Sequence, residues 1–240
     1  AKALEEAKII HRDFNWERIA DLTYEHLRNR KEHINKVLME RKKIVFNYNF
    51  INGPILEVLS EQPGLFDVAF IDEDTGEIIH SDLIKNNMFT KPNVKYYKNW
   101  RITVKDNKTK EVYFDQKIDL NGKRVLVSLD SNSLGDTLAW FPAIEEFRKK
   151  HQCEMYCATF HNYFFEKNYP KIHFVNVGDN IHGVHATYRI GWYHRDVEIE
   201  ENGNKRTVIQ VDFDKNPQDF KPQPMQKTAF DILGLDYQEI

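Results

Sequence analysis

The sequence predicts an α/β chain in three zones: a helical segment over 1–43, a small all-β unit over 44–120, and half of a doubly wound parallel sheet over 121–240. Three observations carry this prediction. Up to Lys43 the apolar residues recur at helical spacing. From Ile44 to about Leu120 they fall in short β-branched and aromatic runs broken by turn residues. Beyond Asn121, near-continuous apolar strands alternate with amphipathic stretches. Such alternation implies a parallel sheet covered on both faces, with ligands bound beyond the carboxyl ends of its strands.

The first zone reads "AKALEEAKIIHRDF" and then "NWERIADLTYEHLRNRKEHINKVLMERKK". Asn15 suits an N-cap, and Trp16, Ile19, Ala20, Thr23 and Leu27 share one helical face. From Arg28 to Lys43 the pattern is charged all round, which reads as a solvated linker helix. The chain opens on Ala1 in mid-helix pattern and closes on "DILGLDYQEI", so the expectation is a piece of a longer reading frame.

The second zone supplies "IVFNYNF", "GPILEVL", "FDVAFID", "GEIIHSDLI", "KYYKNWRITVKD" and "KEVYFDQKI". Asn52-Gly53, Pro63-Gly64, "DEDTG" at 72–76 and "DNKTK" at 106–110 separate them, and the last two read as hairpin loops. Six short strands in meander order make a small sandwich or barrel. In the third zone, strand "RVLVSLD" leads to a helix over 136–150, where Pro142 predicts a kink or break near Trp140. Strand "EMYCATF" leads to a short helix around "NYFFEKNY". Strands "IHFVNV", "ATYRIGWY" and "RTVIQVDF" and a helix "QPMQKTAFDILG" follow.

Composition narrows the function. A net charge of −3, from 34 basic and 37 acidic residues, does not favour electrostatic binding of nucleic acid. No apolar run reaches membrane-spanning length and no charged-then-apolar leader opens the chain, so the expectation is a cytoplasmic protein. Cys153 and Cys157 are the only cysteines. Their C-x3-C spacing inside an apolar run fits buried strand residues in a reducing compartment better than a metal site, which needs about four ligands. The four histidines between 173 and 194 match no zinc spacing, and no metal is expected.

The most informative stretch is "VLVSLDSNSLGDTLAWFPAIEEFRKK", from Val125 to Lys150. Gly135 suits a tight strand-to-helix turn and close approach of a ligand to the backbone. Asp136 falls at the helix start, where dipole and free N–H groups favour negative charge, so on these grounds the plainer reading is a helix cap. "SNSLGD" lacks both the dinucleotide glycines and the P-loop lysine. Ser133, Leu134, Gly135 and Thr137 are the candidate ligand-contacting residues of this turn. "TFHN" at 159–162 brings His161 and Asn162 to the same edge, with a solvated loop histidine as the plainer reading. "GWYHRD" at 191–196 offers Trp192 and Tyr193 for stacking on a sugar. The plainer reading has Trp192 in the core and Arg195 paired with Asp196.

"SLGDTLAWFPAIEEFRKKH" resembles the heptosyltransferase family of GT-B glycosyltransferases: a small-Leu-Gly-Asp turn after the first strand, then a proline seven residues beyond the glycine, here Pro142. The likeness is closer to the bacterial autotransporter O-heptosyltransferases. It rests on Gly122–Ser128, Leu134–Trp140, Glu145–Cys153, Thr159-Phe160, Asn162, Phe165-Glu166, Tyr169-Pro170, Ile172, Phe174-Val175, Gly178, Tyr188 and Ile190–Trp192. Upstream, "GPILEV", "FIDEDTG" and "NWRITV" match the small β domain of that branch, and the likeness runs from about Phe50 to the C-terminus. "FNWERIADLTYEHL" resembles the last helix of another GT-B group, which would make 1–43 the tail of a preceding glycosyltransferase domain.

The resemblance implies a Rossmann-like acceptor domain over 121–240, with Asp136 as general base of an inverting sugar transfer. It implies no cofactor in this chain. A second domain beyond Ile240 would hold a nucleotide-sugar donor of the ADP-heptose type, and the branch's iron-binding cysteines lie in that later part. The acceptor would be a glycan or a protein. The competing readings are a carbohydrate-binding or scaffold module whose α/β half is inert, and a Rossmann domain that binds a small molecule without transfer.

Overall fold

A computed structural model describes residues 44–201 and 204–237. The helical zone expected over 1–43 lies outside the described residues. The strands are β1 (Ile44–Ile51), β2 (Ile55–Ser60), β3 (Leu65–Asp72), β4 (Ile78–Lys85), β5 (Met88–Thr90), β6 (Trp100–Asp106), β7 (Val112–Lys117) and β8 (Arg124–Leu129), then β9 (Glu154–Ala158), β10 (Ile172–Val175), β11 (Val184–Ile190), β12 (His194–Glu201) and β13 (Asn204–Val211). The helices are α1 (Leu134–His151) and α2 (Met225–Ile232), with a 3-10 turn at Asn162–Phe164.

The main sheet has seven strands in the order β10-β9-β8-β11-β1-β2-β5. Strands β8 to β11 run parallel, and β1 joins β11 in parallel through Phe50↔Ala186 and Ile51↔Thr187. The sheet therefore crosses the boundary expected at 120/121, which corrects the separate β unit over 44–120. The physical reason is that β11 would otherwise present an open edge; the C-terminal end of β1 satisfies it. The remaining strands of that zone form a four-stranded sheet, β4-β3-β6-β7. It stacks on the β1-β2-β5 part of the main sheet. Alternate residues of β2 and β3 are buried, as the period of two requires. Leu56, Val58, Phe66, Val68, Phe70, Ile102 and Val104 form the core between the layers.

Turn chemistry fixes the hairpins. Asn52 (φ 54°) and Gly53 (φ 91°) both adopt the left-handed backbone of a tight β1–β2 turn. "DEDTG" and "DNKTK" close the β3–β4 and β6–β7 hairpins as expected, with Gly76 and Lys110 at the positive-φ positions.

In the parallel part, Val125, Val127, Met155, Cys157, Ala186 and Tyr188 are buried under α1, whose Trp140, Phe141, Ile144 and Phe147 face them. α2 lies beside α1, where the Trp140 indole N–H donates to the Met225 carbonyl (3.1 Å). Both helices pack on the same face. Leu126, Ser128, Tyr156 and Thr187 on the opposite face are half-buried, so among the described residues helices cover the sheet on one face only, where both faces were expected to be covered. α1 runs unbroken through Pro142, so there is no break near Trp140. One proline removes a single backbone bond, and the buried aromatic stripe on either side holds the helix. The helix expected around "NYFFEKNY" is reduced to the 3-10 turn. "RTVIQVDF" is β13, but it pairs with β12 in a separate antiparallel ribbon rather than in the main sheet.

Candidate active site at the strand switch point

The chain passes from β8 through α1 to β9 and on to β10, then returns to the other side of β8 as β11. The order 10-9-8-11 reverses direction between β8 and β11, and their carboxyl ends frame a crevice. The segment Asp130–Ser133 leaves β8 on one side of it. Gly191–Tyr193 leaves β11 on the other, and the Asp130 N–H donates to the Ile190 carbonyl (2.8 Å), which ties the two exits together.

Ser133 is the N-cap of α1: its backbone is extended (φ −72°, ψ 127°) and its hydroxyl accepts the Asp136 N–H at 3.4 Å. Asp136 is therefore not the cap. It is the third helical residue, and its Oδ2 accepts the Ser131 hydroxyl at 2.7 Å. Ser131 Oγ in turn accepts the Ser133 N–H at 3.1 Å, so a serine fixed by the cap residue orients the carboxylate. Gly135 has no positive φ, which corrects the reading that the turn needs its conformational freedom. A Cβ there would meet only the Ser133 hydroxyl, at 3.7 Å. Leu134 is 38% exposed at the rim. Thr137 is fully buried and its hydroxyl donates to the Ser133 carbonyl (3.0 Å), so it stands beneath the turn, out of reach of a ligand.

Sequence reasoning missed a second carboxylate. Asp130 Oδ2 accepts the Tyr193 hydroxyl (2.7 Å) and pairs with Arg189 Nη2 (2.5 Å). Burial first, then the bond to Asp130, raises the Tyr193 pKa far above the ordinary phenol value, so it remains a proton donor. Asp130 and Arg189 were discernible as the first polar residue beyond an apolar strand and an outward-facing base on β11, but many strands carry such residues.

His161 Nε2 donates to the Asn132 carbonyl (2.9 Å) and so joins the β9 loop to the turn. Asn162 does structural work: its side chain accepts the Thr159 N–H (3.0 Å) and donates to the Val175 carbonyl (2.7 Å). Trp192 is half-buried between Trp140 and Phe220, with ring centroids 5.3 and 4.9 Å away. Arg195 faces Asp214 at 3.7 Å rather than Asp196. An open cleft of about 550 Å³ runs along the carboxyl ends of β8, β9 and β10, between Asp130, Phe160, Asn176 and Arg189.

Among the described residues no group of three or more His, Cys, Asp or Glu is placed to hold a metal ion. His173 stacks on Tyr156, His185 lies against Phe50, and His194 meets Phe220. Both cysteines are buried and unpaired, and burial pushes the Cys153 thiol up to about 11. Neither is a ready ligand or nucleophile.

No protein-family model matches the chain. It is 34% identical over 195 residues to the autotransporter heptosyltransferase Aah of Escherichia coli, covering 80% of this chain and 45% of that protein. It is 29% identical over 179 residues to the autotransporter heptosyltransferase BAHTCr of Citrobacter rodentium, covering 73% and 40%. Among solved structures it resembles the iron-containing dodecameric glycosyltransferase TibC of enterotoxigenic E. coli, with a TM-score of 0.66, 26% identity, and 80% and 46% coverage. TibC in complex with ADP-D-β-D-heptose matches with a TM-score of 0.66 and 25% identity. The described residues offer no ligand set for the iron of that relative. The chain is thus a homologue of the bacterial autotransporter heptosyltransferases, and it spans about half the length of the relatives it matches.

Proposed function

We propose that this chain is the acceptor-side, Rossmann-like half of a GT-B sugar transferase. It acts in the cytoplasm with a nucleotide-sugar donor of the ADP-heptose type, delivered by a second domain, and a glycan or protein hydroxyl as acceptor. Asp136 is its general base. The observation that carries this reading is the placement of Asp136 beside the switch-point crevice, held by Ser131, in a chain homologous to heptosyltransferases over 195 residues.

The chemistry follows from that placement. An inverting transfer forms one bond from the acceptor oxygen to the anomeric carbon while the bond to the departing diphosphate breaks. The transition state is oxocarbenium-like, as in glycoside hydrolysis. The acceptor hydroxyl must lose its proton as the new bond forms, and a carboxylate at the helix start can accept it. Ser131 donates to Oδ2 and leaves Oδ1 for the substrate. Tyr193 and Arg189 hold Asp130 at the carboxyl end of β8.

Asp136→Asn in the full-length protein tests the assignment. Ser133 already caps α1, and Asn keeps the shape of the side chain. Melting temperature should hold while turnover falls about 10²–10⁴-fold, the range of acid–base catalysis. A folded Asn variant that transfers sugar at the parental rate would remove Asp136 from the mechanism.

A further inference from the structure

On the β1 side of β11, three chain segments meet around a small recess: the β1–β2 turn, the loop before β6 and the loop after β13. Asn52, Lys95, Thr187, Arg189, Tyr193 and Lys215 line it. We infer that this recess binds a single oxyanion, a phosphate or carboxylate group of a substrate, held by Lys95, Lys215 and Arg189.

The recess is built before any ligand arrives. The Asn52 N–H donates to Thr187 Oγ1 (2.8 Å), which joins the turn to β11. The Lys95 N–H donates to the Asp214 carbonyl (2.7 Å), which joins the loop before β6 to the loop after β13. The Tyr193 N–H donates to the buried Asn216 side chain (3.1 Å), which donates back to the Gly191 carbonyl (3.1 Å). At Gly53 the turn presses so close that a Cβ would stand 2.4 Å from the Val94 carbonyl oxygen and 3.5 Å from Lys95 Cδ. The lysine stem therefore lies across a glycine. Preorganisation of this kind removes the ordering cost that a flexible basic patch would carry on binding.

The charges support an anion even after every carboxylate is counted. Arg189 pairs with Asp130 at 2.5 Å, Lys215 stands 3.2 Å from Asp212, and Asp214 faces Arg195 at 3.7 Å. These pairs orient the cations without occupying them, since a guanidinium has five N–H donors and an ammonium three. Lys215 Nζ also sits 5.2 Å from the Tyr193 ring centroid. Lys95 has no carboxylate within ion-pair distance among the described residues. Burial, then the charge of Lys91, holds its pKa below the ordinary lysine value; Asp214 opposes this and Lys215 adds to it. A cation partly stripped of water beside like charges is stabilised by an incoming anion. Arg189 and Tyr193 both also touch Asp130, so the recess adjoins the crevice that holds Asp136.

Binding of the oxyanion stands without the sugar-transfer reading; only its role in seating an acceptor carboxylate or a donor phosphate rests on it. Calorimetric titration of the 240-residue chain with inorganic phosphate, and separately with acetate, tests it at constant ionic strength set by chloride. Expected is saturable one-site binding in the millimolar range, weakened at least tenfold in Lys95→Gln/Lys215→Gln and retained in Lys95→Arg. Preference for phosphate over acetate assigns the site to a phosphorylated substrate, and the reverse assigns it to a carboxylate. Absence of saturable binding, or unchanged affinity in the double variant, overturns the inference. Circular dichroism confirms folding, and either single Gln variant serves if the double does not fold. No arm depends on turnover, so an active Asp136→Asn enzyme would leave this result intact.

Discussion

At the residue scale the catalytic proposal hangs on how one carboxylate is held. Ser131 gives its proton to Asp136 Oδ2 at 2.7 Å and is itself fixed by the Ser133 N–H. Ser131→Ala frees the carboxylate to rotate, and loss of one hydrogen bond to a charged group is worth about 1.5–3 kcal/mol. Turnover of the full-length protein should fall at least tenfold with KM little changed, and Ser131→Thr should restore most of it. An unchanged kcat in Ser131→Ala would show that the serine positions nothing. Gly135 is the complementary case. Its φ is ordinary and a Cβ would meet the Ser133 hydroxyl only at ordinary contact distance (3.7 Å), so nothing among the described residues requires glycine there. Gly135→Ala should keep or raise the melting temperature, since Ala is the better helix former. If a substrate lies against that backbone, transfer should drop at least tenfold in the same variant; parental activity would separate Gly135 from the site. The sequence made Asp136 legible because a charge after a small-residue turn is conspicuous. It left Ser131, Asp130 and Arg189 unmarked, because their roles come from contacts across β8 and β11 that no local spacing encodes.

At the element scale, short periodicities were easy to read and partnerships were not. The hairpin loops at 72–76 and 106–110 carry their turn residues in the sequence, and their strands form where expected. The pairing of β1 with β11 joins residues more than 130 positions apart, and only the register of Phe50 with Ala186 reveals it. β5 escaped notice because three residues show no period. β12 did so because an exposed two-stranded ribbon needs no apolar alternation. The end of α1 offers a test of packing. His151 is wedged between Tyr97 and Phe147, at centroid distances of 5.0 and 4.3 Å, and its Nε2 has no hydrogen-bond partner among the described residues. Burial first, then the charge of Lys150, lowers its pKa to about 4 from 6.5. Between those values the unfolded chain binds a proton that the folded chain refuses, so stability rises with pH across that window and is lost as pH falls. Melting temperature followed from pH 7 to 4 should decline less steeply in His151→Gln than in the parent, because glutamine does not titrate. Parallel curves would place the acid sensitivity elsewhere.

At the scale of the whole molecule, the described sheet presents a crevice at the carboxyl ends of β8 and β11, and the homologues extend well beyond the part this chain matches. Sugar transfer needs more than a base. The departing diphosphate must be stabilised as its charge develops, by groups fixed opposite the acceptor. In the two-domain reading that task belongs to a donor domain, distinct from the acceptor-side half proposed for this chain. The 240-residue chain should therefore melt cooperatively yet transfer no sugar from ADP-heptose to any acceptor that the full-length protein modifies. ADP-heptose should also raise its melting temperature no further than an equal concentration of inorganic phosphate does, since only the small oxyanion recess is available to it. The phosphate control matters, because ligand binding stabilises a fold in proportion to its saturation and a weak shared phosphate contact would otherwise pass for donor recognition. Transfer by the isolated chain at a rate near that of the full-length protein would show that donor and acceptor sites share this half, and the division of labour proposed for the crevice would be wrong.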